Sequence, residues 1–312
     1  MSLSVGLVGC GHWGRNILRD LLALGARVHV VVPSAESRQR AKTLGAAGAW
    51  PELAAIPEPV DGFVVATPTK LHAQSIEALL PSGRPIFVEK PMADEPAAAR
   101  RLVAAAGGRL FVMDKWRYHP GIEALAQLAR AGELGRVLAV RSYRLGWGNP
   151  HGDRDIAWHL MPHDLAIAYE ILGRLPAVES ARAVLPHPYD GDLIATLCDG
   201  PDDVRVTIEI GGAHPVNRRS VLVVGTKKSA QLADSYDDCI IVRAGAPGSP
   251  ARTAEPAERR GIGNTMPLYL ELAAFLGHLR GGPPPRSSAA EGLLIVERIA
   301  AARQLAGFDR VG

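Results

Sequence analysis

"GLVGCGHWGRNIL", residues 6–18, decides how the rest of the chain reads. It contains G-x-G-x-x-G as Gly9, Gly11 and Gly14, directly after a β-branched apolar run and directly before a helix-like segment. Glycines at this spacing let the backbone turn tightly and approach a pyrophosphate. A helix opening there adds unpaired N–H groups and the positive end of its dipole. Alone the pattern is weak, because short glycine patterns arise by chance; the strand before it and the helix after it make it specific. The plain alternative is an ordinary tight βα turn. His12 and Trp13, inside the pattern, join the three glycines as candidate cofactor contacts.

Outward from this loop the first third of the chain alternates two patterns. Short apolar runs, "LSVGLVG" (3–9), "ARVHVVV" (26–32), "DGFVVAT" (61–67), "PIFVEK" (85–90) and "RLFVMDK" (109–115), suit parallel strands covered on both faces. Helix-like segments lie between them at Trp13–Leu24, Ala35–Leu44, Leu71–Leu80 and Glu95–Ala106, the last with Asp94 as N-cap and Pro96 in its first turn. This rhythm predicts a Rossmann-type doubly wound parallel sheet over residues 1–118. The pattern then changes. A helix, "PGIEALAQLARAGELG", leads into a long strand, "RVLAVRSYRLGW" (136–147), followed by the strand-like runs "DLIATLCD", "VRVTIEIGG" and "SVLVVGTKKSAQLAD". These predict a second α/β domain over 119–312 with an open, mostly antiparallel sheet that binds substrate and carries oligomer contacts. Residues 244–263 read as a surface loop, and helices close the chain at Pro267–Leu279 and Ala289–Gln304, the last packing back on the first domain.

The totals exclude several classes. The 312 residues are 47% hydrophobic and 21% charged, with 35 basic against 32 acidic residues and a net charge of +3. That balance points to no nucleic-acid or membrane partner. No apolar run approaches the ~18–20 residues of a membrane span. Cys10, Cys198 and Cys239 are far apart and odd in number, which suits a reducing cytoplasm better than a disulfide framework. The apolar start lacks a basic flank and reads as a first strand, not a signal peptide.

In such a domain the residue choosing between the two nicotinamide dinucleotides lies at the end of the second strand, about 20 residues past the glycines. There the sequence reads "VVVPSAESRQR", with no acidic residue at the strand end. Ser34, Arg38 and Arg40 could hold a 2′-phosphate, Ser34 and Arg38 being the chosen pair, which favours NADP(H) over NAD(H); the alternative is that these arginines form a solvated helix face. "VVATPTKLH" (64–72) ends another strand, where the backbone and Thr67 or Thr69 could line the nicotinamide side and Pro68, counted with the cofactor contacts, fixes a turn. His72 either touches cofactor or packs at a helix start.

"FVEKPMA" (87–93) closes the next strand with Glu89-Lys90-Pro91. This resembles the E-K-P motif of the Gfo/Idh/MocA oxidoreductases. "GCGHWGRN", "ATPTKLH", "AGELGRV" (131–137) and "ELAAFLGHLRGGPPPRSSAAEGLLIVE" resemble that family in the same order, so the likeness spans most of the chain. It implies a Rossmann domain followed by an open-sheet α/β domain, and hydride transfer between nicotinamide and a carbon of a sugar or cyclitol. It also implies that Lys90 lies beside substrate and nicotinamide. "RDIAWHLMPHDLAI" (154–167) is similar to the branch acting on nucleotide-linked sugars, which shows W-D-L-x-P-H-D. Trp158, Leu160, Pro162, His163 and Asp164 match, while His159 stands where that branch has aspartate.

The chemistry of these side chains fits. Hydride transfer at a carbinol needs a group to move the hydroxyl proton and one to steady the developing oxygen charge. Lys90 suits either task, the alternative being a solvated loop lysine. A free histidine side chain changes charge near neutral pH, so the residue type at His163 suits proton transfer, with His159 as a relay behind it or as a space-filling hydrogen-bonding group. Asp164 either orients an imidazole or sits at the domain interface. Zinc is rejected: His159 and His163 are four apart, but H-E-x-x-H is absent and no third ligand is evident. Pro162 argues against one uninterrupted helical face there.

A nucleotide sugar would need donors for phosphate oxygens and planar groups for its faces. "KWRYHP" (115–120) and "YRLGWGNPHGDRD" (143–155) offer Arg117, Tyr118, Arg144, Trp147, Asn149, His151 and Arg154, of which Tyr118, Asn149 and Arg154 are the chosen pocket residues. The sequence therefore predicts a cytoplasmic NADP(H)-preferring oxidoreductase, a homodimer or homotetramer through its C-terminal sheet, acting on a nucleotide-linked hexose. Its rivals are a free-sugar or inositol dehydrogenase and a non-catalytic cofactor-binding regulator.

Overall fold

Six strands, β1 (Ser4–Val8), β2 (Arg27–Val31), β3 (Gly48–Trp50), β4 (Gly62–Val65), β5 (Ile86–Glu89) and β6 (Leu110–Met113), form one sheet in a computed structural model that describes residues 2–148, 154–185, 191–245 and 256–308. Their order is β3-β2-β1-β4-β5-β6, and every neighbouring pair is parallel. This is the Rossmann order, with its reversal between β1 and β4. Helices α1 (His12–Ala23), α2 (Ala35–Thr43), α3 (His72–Leu79) and α4 (Pro96–Ala106) connect the strands. In α1 the buried residues Gly14, Ile17, Leu18 and Leu21 recur at helical spacing and pack on the sheet with Val5, Leu7, Val28 and Val30. Two local readings change. β3 spans three residues, too short to leave a periodic signal. The N-cap of α4 is Glu95 rather than Asp94, with no side-chain cap bond and Pro96 at the first helical position.

The second sheet is larger. β7 (Val137–Trp147), β8 (Val178–Leu185), β9 (Asp192–Leu197), β10 (Arg205–Gly211), β11 (Ala213–Gly225), β12 (Lys228–Leu232), β13 (Cys239–Ala244) and β14 (Glu258–Gly261) run in the order β14-β13-β12-β11-β7-β10-β9-β8. Only β7 and β10 pair parallel, so the sheet is mixed and mostly antiparallel. Helices α5 (Pro120–Arg130) and α6 (Ile156–Leu172) pack together, α5 on β12 and β13 and α6 on β7 and β10. β14 lies inside the stretch 244–263 that reads as a loop, because pairing with β13 decides it and its residues are polar. α6 is continuous through Pro162, contrary to the break that this proline suggests. A proline there removes one backbone donor. Nearly every other α6 residue is buried, so packing outweighs that loss.

The chain closes with α7 (Pro267–Leu279) and α8 (Ala289–Ala306). It divides into two compact units, one of residues 1–115 with 266–296, the other of 116–265 with 297–312. The sequence places all of 119–312 in the second domain; instead α7 belongs with the Rossmann sheet. Its apolar side, Leu268, Leu272, Phe275 and Leu276, completes that core, with Phe275 stacked on Phe87 of β5 at 5.0 Å. Cys10, Cys198 and Cys239 are all buried and free.

Candidate active site

In the first unit the glycine loop joins β1 to α1. Gly9 has φ +93°, and a Cβ there would lie 2.6 Å from the Ala66 carbonyl oxygen. A Cβ on Gly14 would lie 2.7 Å from the Gly9 carbonyl oxygen. These two glycines are required by the protein's own backbone. Gly11 is different: it is exposed, caps α1 without a side-chain bond, and a Cβ would meet nothing within 4 Å. That space lies beside the N-cap of α1, and a pyrophosphate at a helix N-terminus would need such space. His12 is exposed, 3.3 Å from Arg15. The residues present therefore fit a dinucleotide.

The end of β2 carries the expected ribose contacts. Ser34 caps α2 by accepting from the Ser37 N–H at 3.3 Å. Arg38 folds back over the strand end, donating to the carbonyl of Val32 at 3.1 Å and to that of Pro33. Both residues thus have local duties besides any phosphate contact.

At the end of β4 two candidate side chains, Thr67 and His72, are tied down. Thr67 Oγ1 lies 3.3 Å from Ser75 Oγ, and Pro68 is exposed. His72 is buried, its Nδ1 2.7 Å from the Pro91 carbonyl oxygen and its Nε2 2.8 Å from the Thr67 carbonyl oxygen. It joins the β4 end to the turn after Lys90, so packing and bridging describe it. Burial pulls its pKa down, the two carbonyls pull it back up, Lys90 lowers it and Asp94 raises it, with a net fall below 6.5.

Glu89 accepts from the Trp13 indole N–H and, at 3.2 Å, from the Lys90 backbone N–H. Lys115 Nζ sits 4.1 Å from the centre of the Trp13 ring. Trp13 is therefore an anchor between the glycine loop and β5. Lys90 follows the carboxyl end of β5, half-buried, with a cis bond to Pro91. Open α/β sheets place their ligands at this edge.

The second unit holds the histidines. His159 is 4% exposed, and His163 is half-buried one turn further along α6. The His163 ring meets Trp116 edge-on at 6.4 Å, and Trp116 stacks on His119 at 5.1 Å. Asp164 orients an arginine rather than an imidazole. Arg144 grips it in two bonds, of 2.7 and 3.2 Å, while lying 4.4 Å over Trp116. Arg117 is likewise buried, 2.9 Å from Glu170. Both arginines are thus paired inside the protein, Glu170 also accepting from Arg130 at 3.2 Å. Tyr118 is buried and Arg154 half-buried just before Asp155, the α6 N-cap that Arg303 holds at 2.8 Å. Asn149 and His151 lie outside the described residues. Among the described residues no group of three or more His, Cys, Asp or Glu could hold a metal ion, and no helix is long and apolar enough to cross a membrane. Glu170, Lys115 and Glu271 were not singled out from sequence; a lone acid in the apolar run "LYLELAAF" was the available signal for Glu271.

A glycine-cradled helix N-terminus at the carboxyl edge of a β3-β2-β1-β4-β5-β6 sheet, with a lysine closing β5, defines a dinucleotide-binding oxidoreductase. Residues 3–110 match the family model described as "Oxidoreductase family, NAD-binding Rossmann fold", Gfo/Idh/MocA. The chain is 31% identical over 254 residues to trans-1,2-dihydrobenzene-1,2-diol dehydrogenase of Bos taurus, covering 75% of each. It is 29% identical over 226 residues to inositol 2-dehydrogenase 2 of Saccharopolyspora erythraea, covering 67% of each. Its fold matches UDP-N-acetylglucosamine 3-dehydrogenase from Acidithiobacillus ferrooxidans with TM-score 0.82 at 20% identity, covering 99% of both chains. The chain belongs to the Gfo/Idh/MocA oxidoreductases. It is an NAD(P)-dependent oxidoreductase acting on CH–OH groups, which sets aside the non-catalytic regulator.

Proposed function

We propose that this enzyme moves a hydride between nicotinamide and a carbinol or keto carbon of a sugar or cyclitol. The observation that carries this reading is Lys90 at the carboxyl end of β5, in the same Rossmann sheet as the Gly9–Gly14 loop. The dinucleotide supplies the hydride acceptor or donor. Gly9, Gly11, Gly14 and the first turn of α1 bind its pyrophosphate. Ser34 and Arg38 bind the 2′-phosphate of NADP(H), while Thr67 and Pro68 line the nicotinamide side. Lys90 polarises the reacting oxygen. In the second unit His163 carries the proton, with His159 behind it on the same helix. Assembly through the second sheet and a cytoplasmic location complete the reading.

For the substrate, two observations pull apart. The W-H-L-M-P-H-D stretch on α6 resembles the nucleotide-sugar branch, and Tyr118, Asn149 and Arg154 are the pocket residues proposed for such a ligand. Against it, Arg117 and Arg144 are committed to Glu170 and Asp164, so two candidate phosphate donors are spent. That favours an uncharged free sugar or inositol, in keeping with the inositol dehydrogenase likeness. Steady-state turnover over UDP-hexoses, free hexoses and myo-inositol, each with NAD and NADP, decides. Turnover confined to nucleotide sugars supports the first reading, turnover confined to free polyols the second, and none with any of them sinks both.

A further inference from the structure

The strongest unused group in the molecule is Glu271. The residue is 1% exposed, and neither carboxyl oxygen has a hydrogen-bond partner among the described residues. Its place follows from the packing of α7. Phe275 stacks on Phe87, and a Cβ on Gly62, at the start of β4, would lie 2.8 Å from Leu279. α7 therefore runs antiparallel to the strands, with Leu279 at the amino edge of the sheet. Glu271 is one helical turn before Phe275, and Glu89 is two residues after Phe87 on the same face of β5. The two carboxyls thus meet beneath the carboxyl edge of the sheet. The titratable groups acting on Glu271 are Glu89 from β5 and, after β6, Lys115 and Asp114. From α1 the cluster receives Trp13, whose indole is bonded to Glu89.

The carboxyls of the cluster are not equivalent. Burial pushes both glutamates up. Glu89 is drawn back by Lys90, Lys115, the Trp13 indole and the Lys90 backbone N–H. For Glu271 burial is joined by repulsion from Glu89 and Asp114, which Lys115 only partly offsets, and its pKa stands well above the carboxylate range. Of the two, Glu271 has the stronger push toward the neutral form, as expected when like charges compete for one site.

We propose that Glu271 is a positioning residue: a buried neutral carboxyl that spares Glu89 a further like charge while Glu89 ties Trp13, in the glycine loop, to the strand end that carries Lys90. When Glu271 ionises, its negative charge adds to those of Glu89 and Asp114 and loosens that tie, so cofactor affinity falls on the alkaline side. The cofactor part of this inference rests on the reading that the dinucleotide binds at the glycine loop; the protonation of Glu271 does not.

Two measurements test it. The infrared carbonyl band of a protonated buried carboxyl is recorded in the cofactor-free protein at neutral pH, for wild type and Glu271→Gln. The band is expected in wild type and lost in the variant; its absence from wild type overturns the proposal. NADH and NADPH are then titrated by fluorescence from neutral to alkaline pH. Wild type loses on the order of tenfold in affinity, the equivalent of about one pKa unit, while Glu271→Gln stays flat because it cannot ionise. An equal alkaline loss in both proteins, or a flat wild type, overturns the positioning role. If Glu271→Gln fails to fold, Glu271→Met serves in both arms. A wild type with the infrared band that binds neither dinucleotide at any pH overturns the glycine-loop reading, and the positioning role with it, while Glu271 keeps its proton.

Discussion

Arg144 holds Asp164 through two bonds, Nε to Oδ2 at 2.7 Å and Nη2 to Oδ1 at 3.2 Å, with both side chains buried. Neither charge has water to return to if the other is removed. Asp164→Asn is expected to cost about 3–5 kcal/mol, the range for breaking a buried pair. The double replacement Arg144→Met with Asp164→Leu should recover most of that, because no lone charge remains. Urea unfolding of the three proteins checks both statements. A loss under about 1 kcal/mol for Asp164→Asn, the range of exposed pairs, would contradict the buried clamp.

The glycine loop gives a contrast within one motif. Gly9→Ala puts a Cβ against the Ala66 backbone at a positive φ, so it should destabilise the fold. Gly11→Ala meets open space and should leave stability within about 0.5 kcal/mol. It should still weaken dinucleotide binding, because the methyl occupies the side from which a pyrophosphate approaches. Thermal unfolding beside a cofactor titration separates the two. Unchanged binding in Gly11→Ala would detach this glycine from the cofactor site.

Lys90→Met keeps most of the side-chain bulk and removes the ammonium. Turnover should fall by roughly 10²–10⁴-fold, the usual contribution of a positioned proton-transfer group, while dinucleotide affinity changes little. Wild-type turnover would take Lys90 out of the chemistry. Lost cofactor binding with no separate effect on turnover would make it structural.

β2 is followed by Val32, Pro33 and Ser34, none of them acidic, the nearest carboxylate in sequence, Glu36, is paired with Arg40, and Arg38 lies folded over the strand end. A charge-assisted bond contributes ~1.5–3 kcal/mol, about ten- to a hundredfold in affinity. NADPH should therefore bind more tightly than NADH, and Arg38→Ala should remove most of the difference. Equal or tighter NADH binding to the unaltered protein would refute the preference.

His72 links pH to stability. Its folded pKa lies below the ordinary 6.5, so the unfolded chain takes up the proton first as pH falls. Stability from this residue is complete above pH 6.5 and is lost as pH drops through the folded value. His72→Asn should cost ~1–3 kcal/mol near pH 8 for the lost bridge, and its acid-side loss should be shallower than wild type. Parallel curves down the acid limb would show that His72 does not bury a neutral ring.

The parts legible in the sequence are those carried by local pattern. The β-α-β rhythm, the glycine spacing and the strand-end lysine depend on neighbours within a few residues, and these led to the parallel sheet with its loop and to the second, mostly antiparallel sheet. Local pattern fails where distant contacts decide. β3 and β14 are strands because a neighbour pairs with them, not because their few residues favour it. α6 runs through Pro162 because burial on nearly all sides outweighs one lost backbone bond.

Partnership is the other thing that only the tertiary structure decides. Arg117, Arg144 and Arg154 look alike in sequence as phosphate donors; the fold commits the first two to carboxylates arriving from α6. The sequence determined that His72 and Trp13 stand beside motifs, but not that each is a bridge, since their partners are 19 and 76 residues away. Glu271 was determined as one acid in an apolar helix. Its meaning comes from α7 crossing beneath β5, which sets it against Glu89, almost two hundred residues earlier in the chain. Burial and charge are properties of what surrounds a group, and those surroundings exist only once the chain has folded.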